Sequence, residues 1–368
     1  MVMSGRYFEG DYPALERRLE SHWARVKTSF EEHGWRGALV LGGGYGRGEG
    51  GVMKERDGVG FSNDLDYFLF DDAPADARLV AWCRQIERAE SAALGVDVEI
   101  KCLRADSLGD PSRSMMFADL VAGHVVVAGD GGFLTRLRSQ LDFSRIAPEE
   151  ATRLLWNRGS GLFFARCRMG DDAELAFVIR NHAKVKLALG DAWLCLHGQY
   201  SPLCRDRATR LATMELPPEL AGLRHWHAEG VAFKFRPLAA GLPWPTLEDE
   251  SRQLIAAWGA VYLAVEARRL QRVLDSFAAY LALPRLLPHT SLSHNLALAM
   301  RDKLKRGSCI HPLGDYPRAG LMRALPCLLG LTAGGVAEAG RFLPKPAGDP
   351  AQLTSWQDGY LKWWAHYA

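Results

Sequence analysis

The chain has 368 residues, with 45 Lys and Arg against 43 Asp and Glu and 48% hydrophobic residues, the make-up of a globular protein with room for two cored domains. A net charge of +2 provides no field favouring nucleic acid or a membrane surface. No apolar run reaches spanning length, and the start Met1-Val2-Met3-Ser4-Gly5-Arg6 lacks the apolar core of a secretion signal, so no membrane association is expected and the cytoplasm is the expected location.

In chain order, residues 12–33 read as a helix, because Leu15, Leu19, Trp23 and Val26 recur at helical spacing among charges. An apolar strand over 37–41 follows, then a glycine-rich turn. A strand over 64–70, a helix over about 75–94, a strand over 96–103, a short helix near 112–120 and a strand near 124–128 complete an α+β unit expected to span 1–147. From Pro148 the strand signals fade. Residues 152–169, 174–197, 251–280 and 290–306 read as helices, and Pro217-Pro218, Pro237, Pro243, Pro245, Pro284 and Pro288 mark connections. The expectation for 148–368 is an all-α, bundle-like domain. The aromatic tail, with Tyr360, Trp363 and Trp364, reads as a final helix packed on that bundle.

The chemistry concentrates in the first domain. Gly43-Gly44 follows the first strand, and a glycine turn lets backbone N–H groups approach an anion closely. Asp64 and Asp66 open the next strand, and Asp97 and Glu99 lie on the third. Residues at i and i+2 on a strand share a face, and carboxylates pinned side by side repel unless a cation lies between them. Hard divalent cations take such oxygens together with substrate phosphate. Carboxylates from two neighbouring strands facing a phosphate-binding turn suit two-metal phosphoryl transfer.

These motifs resemble the nucleotidyltransferase superfamily of DNA polymerase β, the aminoglycoside nucleotidyltransferases and the small antitoxin-type nucleotidyltransferases. Gly43-Gly44 matches the family's Gly-[Gly/Ser], Arg47-Gly48-Glu49 its spacer, and Asp64-Leu65-Asp66 its metal-binding pair. The resemblance covers roughly the first third of the chain. It implies a nucleotidyltransferase-type mixed sheet, Mg²⁺ (or Mn²⁺) at Asp64, Asp66 and Asp97, and Glu99 as the alternative third carboxylate. It also implies an NTP co-substrate, ATP foremost, and transfer of its NMP group to a hydroxyl of an unidentified acceptor: a small molecule, a protein or an RNA end. Asp97 or Glu99 would take the acceptor proton.

Two departures stand out. Gly44 occupies a position where many members carry serine, and the spacer to Asp64 is long. The extra residues 50–60 are expected as a flexible, glycine-rich surface loop that closes over substrate. Arg47 is open between a triphosphate contact and a buried pair with Glu49 that braces the turn. On the helical half, Lys184 is a candidate point charge for the triphosphate, with Lys186 and Arg180 as alternates, against the plain reading of a solvated helix face.

Other signals carry less. Gly46-Arg47-Gly48-Glu49-Gly50-Gly51 fits G-x-G-x-x-G, but the strand ends before it and no helix pattern follows. Cys195, His197 and Cys204, and His225 with His227, lack the spacing of a zinc site. The seven cysteines are scattered without C-x-x-C spacing and read as small buried apolar residues. The basic run Arg301–Arg306 reads as an exposed helix end, and the near-neutral charge does not favour an RNA substrate. The alternative function is a catalytically silent nucleotide- or partner-binding module.

Overall fold

The computed structural model describes residues 6–35, 37–55, 58–237 and 241–367. In chain order these carry α1 (Pro13–His33), β1 (Ala38–Leu41), the single-turn α2 (Gly43–Gly46), β2 (Val52–Glu55), β3 (Gly58–Phe61), β4 (Leu65–Asp71), α3 (Ala77–Leu94), β5 (Val98–Arg104), α4 (Met115–Ala122), β6 (Val125–Ala128) and α5 (Gly132–Arg138). Then come α6 (Pro148–Cys167), α7 (Leu175–Leu196), α8 (Cys204–Thr213), α9 (Leu223–Phe235), α10 (Trp244–Leu270), α11 (Phe277–Leu281), α12 (Leu292–Arg306), α13 (Pro317–Leu328) and α14 (Gln357–Tyr367). The architecture is mixed α+β. Among the described residues no helix is long and apolar enough to cross a membrane.

The chain divides into two compact units. The first comprises Met1–Glu150 together with His197–Met214 and Ala228–Leu238; the second holds the remainder. A single boundary at Pro148 does not anticipate the two later segments that return to the first unit. They return because their polar side chains complete buried contacts there, described below.

In the first unit, the main sheet has the order β5-β4-β1-β6. β4 and β5 run parallel, joined through α3, and β1 is antiparallel to both β4 and β6. Alternate residues of β4 serve opposite faces, as the pleat requires. Leu65, Tyr67 and Leu69 pack with Leu15, Leu19 and Phe30 of α1 and with Leu79 and Leu94 of α3. Phe68 and Phe70 pack with Val121 of α4 and Leu134 of α5. The sheet is thus the middle of three layers. Asp66 has the parity of Phe68 and Phe70, so it lies on the α4–α5 face, just beyond the end of that core.

The expected flexible loop at 50–60 is a β-hairpin. Val52 pairs with Phe61, Met53 with Gly60 and Lys54 with Val59. Val52 and Phe61 are buried in the core on the α1 side, which is why the segment is ordered. Arg56 and Asp57, between the two strands, lie outside the described residues.

In the second unit, α7 and α10 are the longest helices and pack against each other. Gly159 of α6 has no side chain because a Cβ would lie 2.7 Å from the ring of Trp258 on α10. The Trp258 indole donates to the Leu155 carbonyl at 2.8 Å. The expected single helix over 251–280 is interrupted. α10 ends with Gln271 in the left-handed conformation (φ 53°), and Ser276 caps a new start at α11 by accepting the Ala279 N–H. The tail helix α14 buries Tyr360 and Trp363. Helix α12 buries Asn295, Ala299 and Asp302 while Leu292, Leu296, Met300 and Leu304 face outward. Its basic end is partly spent: Arg306 and Arg301 pair with the buried Asp302.

Candidate active site

The parallel register of β4 and β5 sets Asp66 directly opposite Glu99 and Phe68 opposite Lys101. Neighbouring strands lie about 4.8 Å apart, so the two carboxylates are side by side on one face. Like charges so placed require a cation, and here Lys101 supplies one. Its Nζ lies 3.2 Å from Asp66 Oδ1 and 3.5 Å from Glu99 Oε2, over the Phe68 ring at 5.6 Å. Asp64 and Asp97, expected on the strands, are exposed and lie just before β4 and β5 begin, and the Asp97 carbonyl accepts the Leu65 N–H at 2.8 Å, beginning the ladder.

The glycine turn lies against this face. Gly42 N–H donates to the Asp66 carbonyl at 2.8 Å. Gly43 has φ +60°, and a Cβ there would sit 2.8 Å from Asp66 Oδ2. The left-handed conformation favours glycine here, and any side chain would also push the Asp66 carboxylate aside. The departure at Gly44 has an equally local cause. Its carbonyl accepts the Glu49 N–H at 2.8 Å, and a Cβ at 44 would stand 2.9 Å from the Glu49 carbonyl oxygen. A serine does not fit this turn.

Tyr45 was not singled out by sequence reasoning, yet it sets the approach to Asp64. Its hydroxyl donates to the Gly51 carbonyl at 3.0 Å and accepts the N–H groups of Ser62 and Asn63 at 3.2 and 3.3 Å. Asn63 Oδ1 in turn accepts the Gly51 N–H at 2.7 Å. Burial pushes the Tyr45 phenol up to about 12, so it remains a donor at neutral pH. One tyrosine thereby fixes the two residues preceding the first aspartate. An aromatic between glycines was the available signal.

Arg47 has its bracing role. Its side chain is 9% exposed, with Nη1 3.2 Å from Asp119 Oδ2 on α4 and Nε 3.8 Å from Glu49 Oε2. Glu49 Oε1 accepts the Cys204 N–H at 2.7 Å, and its Oε2 accepts Lys234 Nζ at 3.2 Å. The Tyr200 hydroxyl donates to Asp119, and Arg207 donates to the Ser201 carbonyl and to Cys204 Sγ. This buried polar network explains why residues 197–214 and 228–238 belong to the first unit: an unpaired charge at Glu49 or Arg47 would be costly in the interior.

Lys184 lies exposed on α7 in the second unit. Its alternate Lys186 is buried there, donating to Glu250 Oε2 at 2.6 Å, while the other Glu250 oxygen contacts His182 Nδ1 at 2.8 Å. Burial would raise Glu250, but these two partners outweigh it and hold its carboxyl below the usual range. Asp191 is likewise committed, to His227 Nε2 at 2.9 Å. These are internal pairs of a helical core. All seven cysteines are free thiols, four of them buried.

Among the described residues, no group of three or more His, Cys, Asp or Glu side chains converges to hold a metal. The carboxylates that the strand register brings side by side are Asp66 and Glu99, with Lys101 between them. A hard divalent cation suits the chemistry of these donors: the carboxylates offer only oxygens, and Mg²⁺ commonly takes one or two carboxylates with substrate phosphate completing its shell; Asp66 Oδ2 itself packs closely against Gly43. The chain matches no protein-family model, and no curated protein matches it.

Proposed function

We propose that the chain is a divalent-cation-dependent nucleotidyltransferase. It moves a nucleoside monophosphate from an NTP, ATP foremost, to a hydroxyl of an acceptor, releasing pyrophosphate. The observation that carries this reading is the Asp66 carboxylate, packed against Gly43 of the glycine turn and facing Glu99 across a parallel strand pair.

In this reading Asp66, with Asp64 and Asp97, holds Mg²⁺, or Mn²⁺ in its place. The bound ion supplies positive charge to the triphosphate oxygens and acidifies the attacking hydroxyl. The first N–H groups of a helical turn have no intrahelical acceptor, which leaves Gly43 and Gly44 suited to cradle phosphate oxygens. Asp97 or Glu99 takes the proton of the acceptor hydroxyl. The acceptor oxygen then bonds to the α-phosphorus as the bond to pyrophosphate breaks. Arg47 acts behind the turn, holding it through Asp119 and Glu49.

The test is a thermal-shift series with each of the four NTPs, with and without Mg²⁺, followed by a pyrophosphate-release assay on the same samples. A Mg²⁺-dependent stabilisation by one NTP, absent from Asp66→Asn, supports the reading. No shift with any NTP refutes it.

One observation favours a second reading. Lys101 already neutralises Asp66 and Glu99, as it would in a nucleotide-binding module without turnover. Mg²⁺-dependent NTP binding with no pyrophosphate release, across a screen of acceptors, would select that reading.

A further inference from the structure

Helix α3 packs on the side of β5 that carries Val98, Ile100 and Cys102. Period-2 alternation puts these three residues on one face of the strand, and they meet Leu79, Cys83 and Leu94 of the helix there. The packing sets the Cys83 and Cys102 sulfurs 3.8 Å apart. Both are free thiols. Sulfurs in a disulfide lie about 2.05 Å apart, so less than about 2 Å separates this contact from a bond.

The two thiols are not alike. Cys83 is 2% exposed, enclosed between helix and strand. Cys102 is half-buried, on the strand at one edge of the main sheet. The contact with Cys83 holds the Cys102 thiol below its ordinary value, against burial and the charge of Glu87. An ionised sulfur at Cys102 only accepts, so the Cys83 S–H donates to it. The same contact, together with burial, pushes Cys83 up. Thiol reactivity follows thiolate fraction and access, and both favour Cys102. It is therefore the sulfur that meets an oxidant first, with Cys83 directly behind it.

We propose that Cys83 and Cys102 form a redox pair, a modification site at which a small peroxide closes a disulfide between α3 and β5, independently of the proposed nucleotidyl transfer. A peroxide is small enough to reach a half-buried sulfur. The Cys102 thiolate attacks one peroxide oxygen and the O–O bond breaks. The departing hydroxide takes up a proton to become water, and Cys102 becomes a sulfenic acid. The Cys83 sulfur, giving up its proton, then attacks the Cys102 sulfur, and the S–OH bond breaks to release a second water. Two thiols lose two electrons in all, and one peroxide is reduced to two waters. The bond closes a loop across 19 residues of sequence, which restricts the unfolded chain, and it ties α3 to the strand that carries Glu99 and Lys101.

The experiment exposes the reduced full chain to hydrogen peroxide, in native buffer and in urea. The remaining thiols are then blocked with N-ethylmaleimide under unfolding conditions, and tryptic peptides are read by mass spectrometry without reduction. The variants are Cys83→Ser and Cys102→Ser, each checked for native melting. The expected product joins residues 79–84 to residues 102–104 and disappears with dithiothreitol. It forms at least about tenfold faster in the native chain than in urea, because only the fold holds the two sulfurs together. Cys83→Ser leaves Cys102 as a sulfenic acid that dimedone traps, and Cys102→Ser slows oxidation at Cys83 at least about tenfold. The oxidised wild type melts at least about 5 °C above the reduced one, a shift that neither variant shows. A native chain whose other cysteines oxidise while Cys83 and Cys102 stay open to N-ethylmaleimide overturns the proposal, as does linkage no faster than in urea. Both of these readouts use the wild type, so a variant that fails to fold does not shield the proposal.

Discussion

Lys234 donates to Glu49 Oε2 at 3.2 Å across 185 residues of sequence, bringing the end of α9 to the residue that closes the glycine turn. Glu49 also accepts the Cys204 N–H and is nearly buried, at 6%. Removing one member of a buried ion pair costs about 3–5 kcal/mol where the other is left uncompensated, and here Glu49 keeps Arg47 at 3.8 Å. Lys234 is 16% exposed at its side chain, which places it at the lower end. Lys234→Met is therefore expected to destabilise the chain by about 3 kcal/mol in urea denaturation. A loss under about 1 kcal/mol would mean the pair contributes no more than a surface contact.

Asp66→Asn keeps the shape of the side chain and removes its charge. Pyrophosphate release is expected to vanish while the melting temperature stays close to that of the wild type, since Asp66 is one-third exposed and its ion pair with Lys101 faces solvent. Full activity in this variant would refute the site assignment.

The glycine turn makes a prediction opposite to the one that resemblance suggests. Gly44→Ser restores the residue that many nucleotidyltransferases carry, yet its Cβ would meet the Glu49 carbonyl at 2.9 Å. Overpacking of this kind costs about 1–3 kcal/mol. The variant should unfold at lower urea and show no tighter NTP binding. Tighter binding without destabilisation would show that the turn has room for a hydroxyl.

The first unit should lose stability in acid through His22. Its Nδ1 contacts Glu90 Oε2 at 2.7 Å and its Nε2 the Tyr67 hydroxyl at 2.6 Å. A carboxylate only accepts, so Nδ1–H is the donor, and Nε2 accepts the Tyr67 O–H. Burial lowers the His22 pKa, outweighing the opposing pull of Glu90. Glu90 is raised by burial but lowered more by hydrogen bonds from Arg25 and His22, and ends below its ordinary value. Both shifts are downward, so both contributions are present at neutral pH and fade as pH falls. The His22 part is lost below about 6.5, where the unfolded chain takes up a proton that the folded chain resists. The Glu90 part is lost below about 4.5. The melting temperature should fall between pH 7 and pH 5, and His22→Gln should flatten that segment. An unchanged slope in the variant would show that another group titrates.

The sequence by itself determined the most regular elements. β4 and β5 each announce themselves as short apolar runs, and period-2 alternation puts Asp66 with Phe68 and Glu99 with Lys101 on one face of their strands. Helices with strong periodicity, such as α1 and α7, were equally legible. The hairpin at β2 and β3 was obscured by its glycines and charges, because the burial of Val52 and Phe61 is a property of what they pack against. The sequence gives α12 as a helix without its buried face: Leu292, Leu296, Met300 and Leu304 point outward, since Asn295 and Asp302 find partners inside, Asp302 in Tyr367, Arg301 and Arg306.

Tertiary structure alone decided which carboxylate meets which cation. Strand register, invisible in a sequence, sets Asp66 against Glu99 and lets Lys101 reach both. Cys204 and Lys234, far along the chain, complete the partners of Glu49, which with Arg47 forms the buried network behind the turn. Local spacing is fixed by backbone geometry over a few residues, whereas ion pairing depends on distances in space, which the path of the whole chain sets.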